Sequence, residues 1–206
     1  MRVKAMVFVL AAGLVTASVA HGAITKSRPL KTGQTTSYGA AGDTTAGQTR
    51  SYKDLGTGVI KDQKTGLFWE KKSDDGSIHD KDDTYTWSTG SPWSADGTAF
   101  TVFLAALNTP PCFGGFCNWR LPTVMELQTL ADYGQGAPAV PAAFNTACAP
   151  DCSVTTCSCT GASWYWSSSA YRPVQGDAWL VDLDVGYVSY DGKKYDFYVR
   201  AVRGGS

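Results

Sequence analysis

The spacing of apolar residues along the chain predicts two amphipathic helices. Apolar positions recur three and four residues apart over residues 100–107, and Pro110 follows as a stop signal. A second helix is predicted over residues 123–133. Thr123 can cap its start while Glu126, three positions later, completes a capping box.

Short alternating segments separated by turn signals predict antiparallel strands. Gly66 lies in a turn between two apolar segments and indicates a hairpin. Trp179, Val181 and Leu183 alternate onto one face, as in a strand with one buried side. The predicted strands cover residues 59–60, 67–70, 178–183, 187–190 and 195–202. Two helices, a small antiparallel sheet and long loops make an α+β domain.

The first 20 residues are typical of a secretory signal peptide. An apolar run over residues 5–15 follows Arg2 and Lys4, and small residues up to Ala20 suit cleavage. Removal of the two basic residues changes the charge balance from 18 − 18 to 16 − 18, or −2. We expect an exported protein, in the periplasm or at the cell surface, without a transmembrane segment. This balance also argues against nucleic acid as a partner.

The segment that follows, residues 21–56, is rich in Gly, Thr and Ser and has a small internal repeat. The sequence of residues 33–38 recurs at residues 47–52 with one change. Two units are too few for a solenoid. The segment is predicted to form two short strands or an arm laid over the domain, and without cysteines it could be mobile. Residues 57–206 then form the domain proper.

Six cysteines in an exported chain favour disulfides over free thiols. The first two flank four residues and could close a small loop. The last two are poorly placed to bond each other, so each is expected to pair with one of the two before them, in either order. Zinc bound by the last four thiols is the alternative. The cysteines are Cys112, Cys117, Cys148, Cys152, Cys157 and Cys159.

Three phrases, in order and spacing, resemble the Lcl C-terminal domain family, named after a bacterial collagen-like adhesin. They are Trp119-Arg-Leu-Pro-Thr123, Tyr165-Trp-Ser-Ser-Ser169 and Tyr198-Val-Arg-Ala-Val-Arg-Gly-Gly205. The resemblance covers residues 57–205 and implies a binding or adhesion role. A fainter similarity to the sulfatase-modifying-factor type implies a C-type-lectin-like fold with long disulfide-stapled loops. The enzymes of that type use a cysteine pair near the chain end, which is absent here, so that activity is not expected.

No catalytic arrangement is evident in the sequence. The chain has two histidines, His21 and His79, and no Gly-x-Ser-x-Gly motif. Cleavage after Ala20 would make His21 the first residue, where its amine and ring could chelate copper with His79 as a partner. We consider this copper-dependent oxidase the least favoured function, because His21 lies in the arm, and expect no enzyme.

Tryptophans in a polar loop offer the best case for ligand binding. Trp87 and Trp93 flank a Thr-Gly-Ser-Pro turn next to an acidic segment. Their rings could stack on sugars while Asp82 and Asp83 accept hydroxyl hydrogen bonds. Packing of this loop onto the domain is the equal alternative.

The acidic segment could bind calcium through several carboxylates around a glycine. The candidate ligands are Asp74, Asp75, Asp80 and Asp82. The spacing lacks the EF-hand order, and a solvated loop is the favoured interpretation.

A local basic patch could attract sulfated glycans, a ligand class that the resemblance to an adhesin suggests. Its candidate residues are Arg120, Lys193, Lys194, Arg200 and Arg203. The positions of the arginines within the family motifs favour a structural role instead, paired with Glu126 or Asp182.

Together these features predict an exported bacterial protein that binds a glycan or another surface polymer without catalysis. The alternative is a structural subunit whose N-terminal arm adds a strand to a neighbouring copy, giving a homo-oligomer or a filament.

Overall fold

The structure is a computed structural model that describes residues 29–37, 44 and 46–204; the predicted leader and His21 lie outside these ranges. Nine strands in the described ranges form two sheets, with strand orders β1-β2-β3-β9 and β4-β8-β5-β6-β7. The strands are β1 (Tyr52–Asp54), β2 (Val59–Asp62), β3 (Phe68–Glu70), β4 (Thr84–Thr86), β5 (Trp164–Ala170), β6 (Asp177–Asp182), β7 (Val188–Gly192), β8 (Asp196–Tyr198) and β9 (Val202–Arg203).

The helices are short and both lie where the apolar spacing predicts them. The first begins with a π-helical part, Ala99–Leu104, and continues as α1 (Ala105–Asn108). The second, α2 (Val124–Gln128), begins with the predicted capping box. It ends before residue 133, because the next amides bond three residues back rather than four. No helix in the described ranges has the length and apolar character needed to cross a bilayer.

Neighbouring residues of β2 and of β6 enter different hydrophobic clusters, so these two strands are buried on both faces. Val59 belongs to one cluster and Ile60 to the other. Leu180 and Val181 of β6 divide in the same way. The predicted half-buried strand is therefore wrong, since β6 is buried on both sides.

The predicted single antiparallel sheet is corrected in two respects. There are two sheets, and β5 pairs with β8 in parallel through Tyr165 and Tyr198. The predicted strand over 195–202 divides, because β8 joins one sheet and β9 joins the other. The α+β description applies only coarsely: the fold is mostly β, with few short helices.

All six cysteines form disulfides. The first pair is Cys112–Cys117, as predicted. The second cluster is nested, because Cys148 bonds to Cys159 around the inner pair Cys152–Cys157. This is one of the two connectivities left open by the sequence.

The described part of the N-terminal arm lies against the C-terminal end of α2. The backbone of Gln48, in the second repeat unit, bonds to Pro29 and Lys31, which precede the first unit. The Arg50 guanidinium donates to the carbonyl oxygens of Thr129 and Ala131. This arrangement is the arm laid over the domain, and its last residues form β1 of the first sheet.

A buried polar network joins the first sheet to the loops around it. The Glu70 carboxylate is fully buried, with Oε1 2.7 Å from His79 Nδ1 and 3.4 Å from Lys72 Nζ. Its Oε2 accepts a 2.9 Å hydrogen bond from the Ala201 amide. Burial alone would raise the pKa of Glu70, but Lys72, His79 and Ala201 hold that pKa below its ordinary value.

Arg200 extends this network and is also fully buried. Its guanidinium donates to the carbonyl oxygens of Glu70 at 2.9 Å and Cys159 at 2.6 Å. A third bond reaches Thr160 Oγ1 at 2.8 Å. Burial lowers the pKa of Arg200, although an arginine remains protonated under ordinary conditions. The disulfide loop is therefore joined to β3 through a single side chain.

We predict that Glu70→Gln lowers the free energy of unfolding by about 3–5 kcal/mol, because it leaves the charge of Lys72 buried without its anion. Urea denaturation followed by near-UV circular dichroism measures this. Asp82→Asn is the control, since it removes an exposed ion pair with Lys81 and should cost less than about 1 kcal/mol. Equal losses in the two variants would contradict the prediction.

The same carboxylate should make the protein sensitive to acid. Its pKa is lower in the folded state than the ordinary 4.5, so its stabilisation is present above that pH and is lost as the pH falls through the folded value. We expect the wild-type denaturation midpoint to fall more steeply below pH 4.5 than that of Glu70→Gln. Parallel pH profiles would show that another group governs acid unfolding.

Candidate functional site

Two adjoining surface cavities share one wall, made by Trp93, Gln175 and Lys193. Their volumes are about 500 and 420 Å³, within the range of small-ligand sites. We call them together the Trp93 groove. The first is also lined by Val174, Gly176, Asp177, Gly192, Lys194 and Tyr195. The second is also lined by Pro92, Ala170, Tyr171 and Arg172.

The loop that carries Trp93 is closed by the Asp96 carboxylate. Oδ1 accepts hydrogen bonds from the Thr89 amide at 2.8 Å and from Ser88 Oγ at 3.0 Å. The hydrogen bond that the Thr89 amide donates is the largest cause of the lowered pKa of Asp96. Trp93 itself has a φ of +66°, which is an outlier for a bulky residue. Strained positions of this kind cluster at functional sites, which directs attention to this side chain.

Lys193 fastens three segments together beneath the groove. Its Nζ donates to the carbonyl oxygens of Gln175 at 2.7 Å and Trp93 at 3.3 Å. The ammonium also lies 4.2 Å from the centre of the Trp87 ring. Burial lowers the pKa of Lys193, and the charge of Asp177 partly opposes this. The Trp93 loop and the 171–177 turn are thus held to the β7–β8 connection.

The groove combines aromatic faces with charged groups. Tyr195 is 62% exposed, Trp93 is half-buried, and Lys194 Nζ lies 5.5 Å from the centre of the Trp93 ring. Asp177 adds a hydrogen-bond acceptor and Arg172 a donor. Such a surface suits ring-shaped polar ligands, which stack on aromatic faces and exchange hydrogen bonds at their edges.

The two tryptophans chosen from the sequence have different positions. Trp87 is 7% exposed and its Nε1 donates to the Ser167 carbonyl at 3.0 Å, so it packs onto the domain, which is the alternative that the sequence left open. Trp93 is at the centre of the groove. Asp82 and Asp83 are exposed but line neither cavity. The structure therefore separates these carboxylates from the tryptophan.

Three of the four candidate calcium ligands come together. Carboxylate oxygens of Asp74, Asp80 and Asp82 lie within 4.8 Å of one another. Lys81 Nζ lies 3.4 Å from Asp74 and 2.6 Å from Asp82, so a lysine already supplies positive charge there. Asp75 turns instead to Ser73 Oγ at 2.7 Å. The cluster gives no independent argument for calcium.

The candidate basic residues do not form one exposed patch. Arg200 is fully buried, and Lys193 is 3% exposed beneath the groove. Arg120 bonds Glu126 through two nitrogens, at 2.8 and 2.7 Å, as expected for a structural arginine. Arg203 donates to Asn118 at 2.7 Å and lies over the Phe116 ring. Asp182 makes none of these bonds, so of the two expected partners Arg120 uses Glu126. Lys194 alone lies exposed in the groove.

The sequence missed several residues of the groove, including Asp177 and Gln175. One feature of the sequence could have indicated the groove: Tyr171 and Tyr195 each adjoin a turn, where side chains often face solvent. His79, the candidate copper ligand, directs Nδ1 to Glu70 and packs its ring on Phe113 with centres 4.1 Å apart.

We predict that Lys193→Met loosens the groove and lowers the free energy of unfolding by about 1–3 kcal/mol, because two hydrogen bonds from a charged donor, to the carbonyl groups of Gln175 and Trp93, are lost. Hydrogen exchange of residues 88–96 and urea denaturation measure the two effects. Lys194→Met is the matched control and should change neither, since Lys194 is exposed. Unchanged exchange in Lys193→Met would contradict the positioning role.

Comparison with known proteins places this architecture in a family. The chain matches the model of the Lcl C-terminal domain over residues 58–203, a range that includes the Glu70 network, the three disulfides and the Trp93 groove. No curated protein and no solved structure matches the chain. Because the family match covers well over half of the 206 residues, the protein belongs to the Lcl C-terminal domain family, which is associated with bacterial surface proteins.

Proposed function

We propose that this protein is an exported, non-catalytic binding module that recognises a glycan or a similar surface polymer through the Trp93 groove. The observation that carries the proposal is a strained, half-buried tryptophan between two cavities that both contain tyrosine and charged side chains. Aromatic faces with convergent polar groups at their edges are the usual means of binding sugar rings.

The rigidity of the scaffold supports a recognition role. Three disulfides staple the loops, which is typical of proteins in an oxidising compartment outside the cytoplasm. Lys193 fixes the groove from below. A site held in its binding geometry loses less conformational entropy when a ligand binds. The C-type-lectin-like architecture, a fold that often presents long loops to ligands, is the finer part of this proposal.

The absence of catalysis is also part of the proposal. His79, the histidine within the described ranges, bonds Glu70 and packs on Phe113, and every cysteine is in a disulfide, so no free thiol is available as a nucleophile. Of the groove residues, Asp177 is the carboxylate that faces the first cavity. Hydrolysis of a glycosidic bond ordinarily requires a pair of carboxyl groups across the bond.

The assembly alternative requires an arm that is available to a neighbouring copy. Its described residues instead contact the domain of the same chain. Arg50 donates to carbonyl oxygens just after α2, and the Tyr133 amide donates to the Thr32 carbonyl at 2.8 Å. These contacts favour recognition over strand exchange. Truncation of residues 21–51, which leaves β1 in place, separates the two functions, since an assembly protein would lose its oligomers while a monomeric module would keep its ligand.

We predict that Trp93→Ala weakens ligand binding by about 2 kcal/mol or more, roughly thirtyfold in Kd, because it removes the shared wall of both cavities. The wild-type ligand is first identified with the oxidised mature protein on a glycan and glycosaminoglycan array, with and without a chelator. Binding constants of wild type and variant then follow by calorimetry.

The matched control is Tyr187→Ala, which removes a 67% exposed aromatic residue that does not line the groove. It should bind as the wild type does. A blank array with correctly folded protein would contradict glycan recognition. Equal losses in the two variants, or none in Trp93→Ala, would place the binding site elsewhere.

A further inference from the structure

Two tyrosines on the outer side of the second sheet are stacked face to face. The ring centres of Tyr171 and Tyr190 are 3.8 Å apart and their planes differ by 5°. Both rings pack against the same tryptophan, Trp179, nearly at right angles and with centre distances of 5.1 and 5.9 Å. Full overlap of two aromatic faces is less favourable than an offset or edge-to-face pair, so the surrounding structure holds this arrangement.

The backbone fixes both rings. Tyr190 is in β7 directly opposite Trp179 of β6. Tyr171 follows β5, and its amide donates to the Asp177 carbonyl at 2.9 Å across the base of the 171–177 turn. With the ring planes parallel and the ring centres 3.8 Å apart, the two phenol rings lie in face-to-face contact. The neighbouring Tyr190 raises the pKa of Tyr171.

We propose that Tyr171 and Tyr190 form a site of oxidative crosslinking, at which a one-electron oxidant derived from hydrogen peroxide joins the two rings as dityrosine. Each phenol loses one hydrogen atom, and the two radicals couple through the ring carbons beside their oxygens. The ring hydrogens at those carbons then move to the oxygens, which restores both phenols. In sum, two phenols and one hydrogen peroxide give one dityrosine and two waters.

Proximity makes this pair different from the other tyrosines. Coupling normally requires two radicals to meet, whereas stacked rings are already in contact and the step is unimolecular. Tyr195 and Tyr187 are more exposed, at 62% and 67%, but neither stacks on a tyrosine among the ring contacts of the described residues. Tyr165 and Tyr198 are 5.6 Å apart and tilted by 33°, with Tyr165 fully buried.

The crosslink would restrain residues that line the second cavity of the Trp93 groove. Tyr171 lines that cavity, and the turn it begins supplies Arg172 and Gln175 as well. A bond to Tyr190 would tie this turn covalently to the edge strand β7 and prevent it from opening. This chemistry would suit a protein exported to a compartment where peroxide is present, and it does not depend on the identity of the ligand.

The test treats dilute, disulfide-intact protein with a haem peroxidase and hydrogen peroxide, then isolates the monomer. We expect dityrosine fluorescence in the monomer, an intact mass lower by two hydrogen atoms, and a crosslinked peptide pair containing residues 171 and 190. Tyr171→Phe and Tyr190→Phe should each lose all three signals. Phenylalanine keeps the ring contacts with Trp179, and two independent variants protect the result against a folding defect in one.

Tyr195→Phe and Tyr187→Phe are the matched controls and should crosslink as the wild type does. The proposal would be overturned by monomer that gains no dityrosine while inter-chain dimers form. It would also be overturned if the product survived in either Tyr171→Phe or Tyr190→Phe, because the bond would then involve other residues.

Discussion

The structure depends on one buried anion. Glu70 is surrounded by Lys72, His79 and the Ala201 amide, and its own carbonyl oxygen receives Arg200. Through these bonds β3, the acidic loop, the chain before β9 and the disulfide loop all meet at one residue, Glu70. A buried charge is tolerated only when it is paired and hydrogen-bonded, so the positions of these segments are mutually constrained.

The same constraint reaches the Trp93 groove through the second sheet. The chain that leaves Lys193 forms β8 and continues to Arg200, so one short segment links the base of the groove to the buried network. β4 pairs with β8 and leads directly into the loop that carries Trp93. The strained tryptophan is thereby held between a fixed strand and a fixed turn. Because the Glu70 network restrains the backbone of these segments, the Trp93 groove is held in one conformation before a ligand binds.

Sequence reasoning succeeded where the signal is local. The capping box of Thr123 and the helical spacing up to Leu107 depend on nearby residues alone, and both are present. Sequence reasoning failed where the burial of a side chain in the folded protein decides that side chain's role. Arg200 binds backbone carbonyl groups that no sequence pattern marks, and Trp87 is buried whereas Trp93 lines the groove, although both lie in the same polar segment. The serine-rich β5 has no alternating pattern, yet it pairs with both β6 and β8.

The most direct test of recognition at the Trp93 groove is a crystal structure of the mature protein with an oligosaccharide bound. We predict a sugar ring stacked on the Trp93 indole, with hydrogen bonds to Asp177 or Lys194. A sugar ring bound at Arg203, or among the carboxylates of the acidic loop, would contradict this assignment and would place recognition on a different face of the domain.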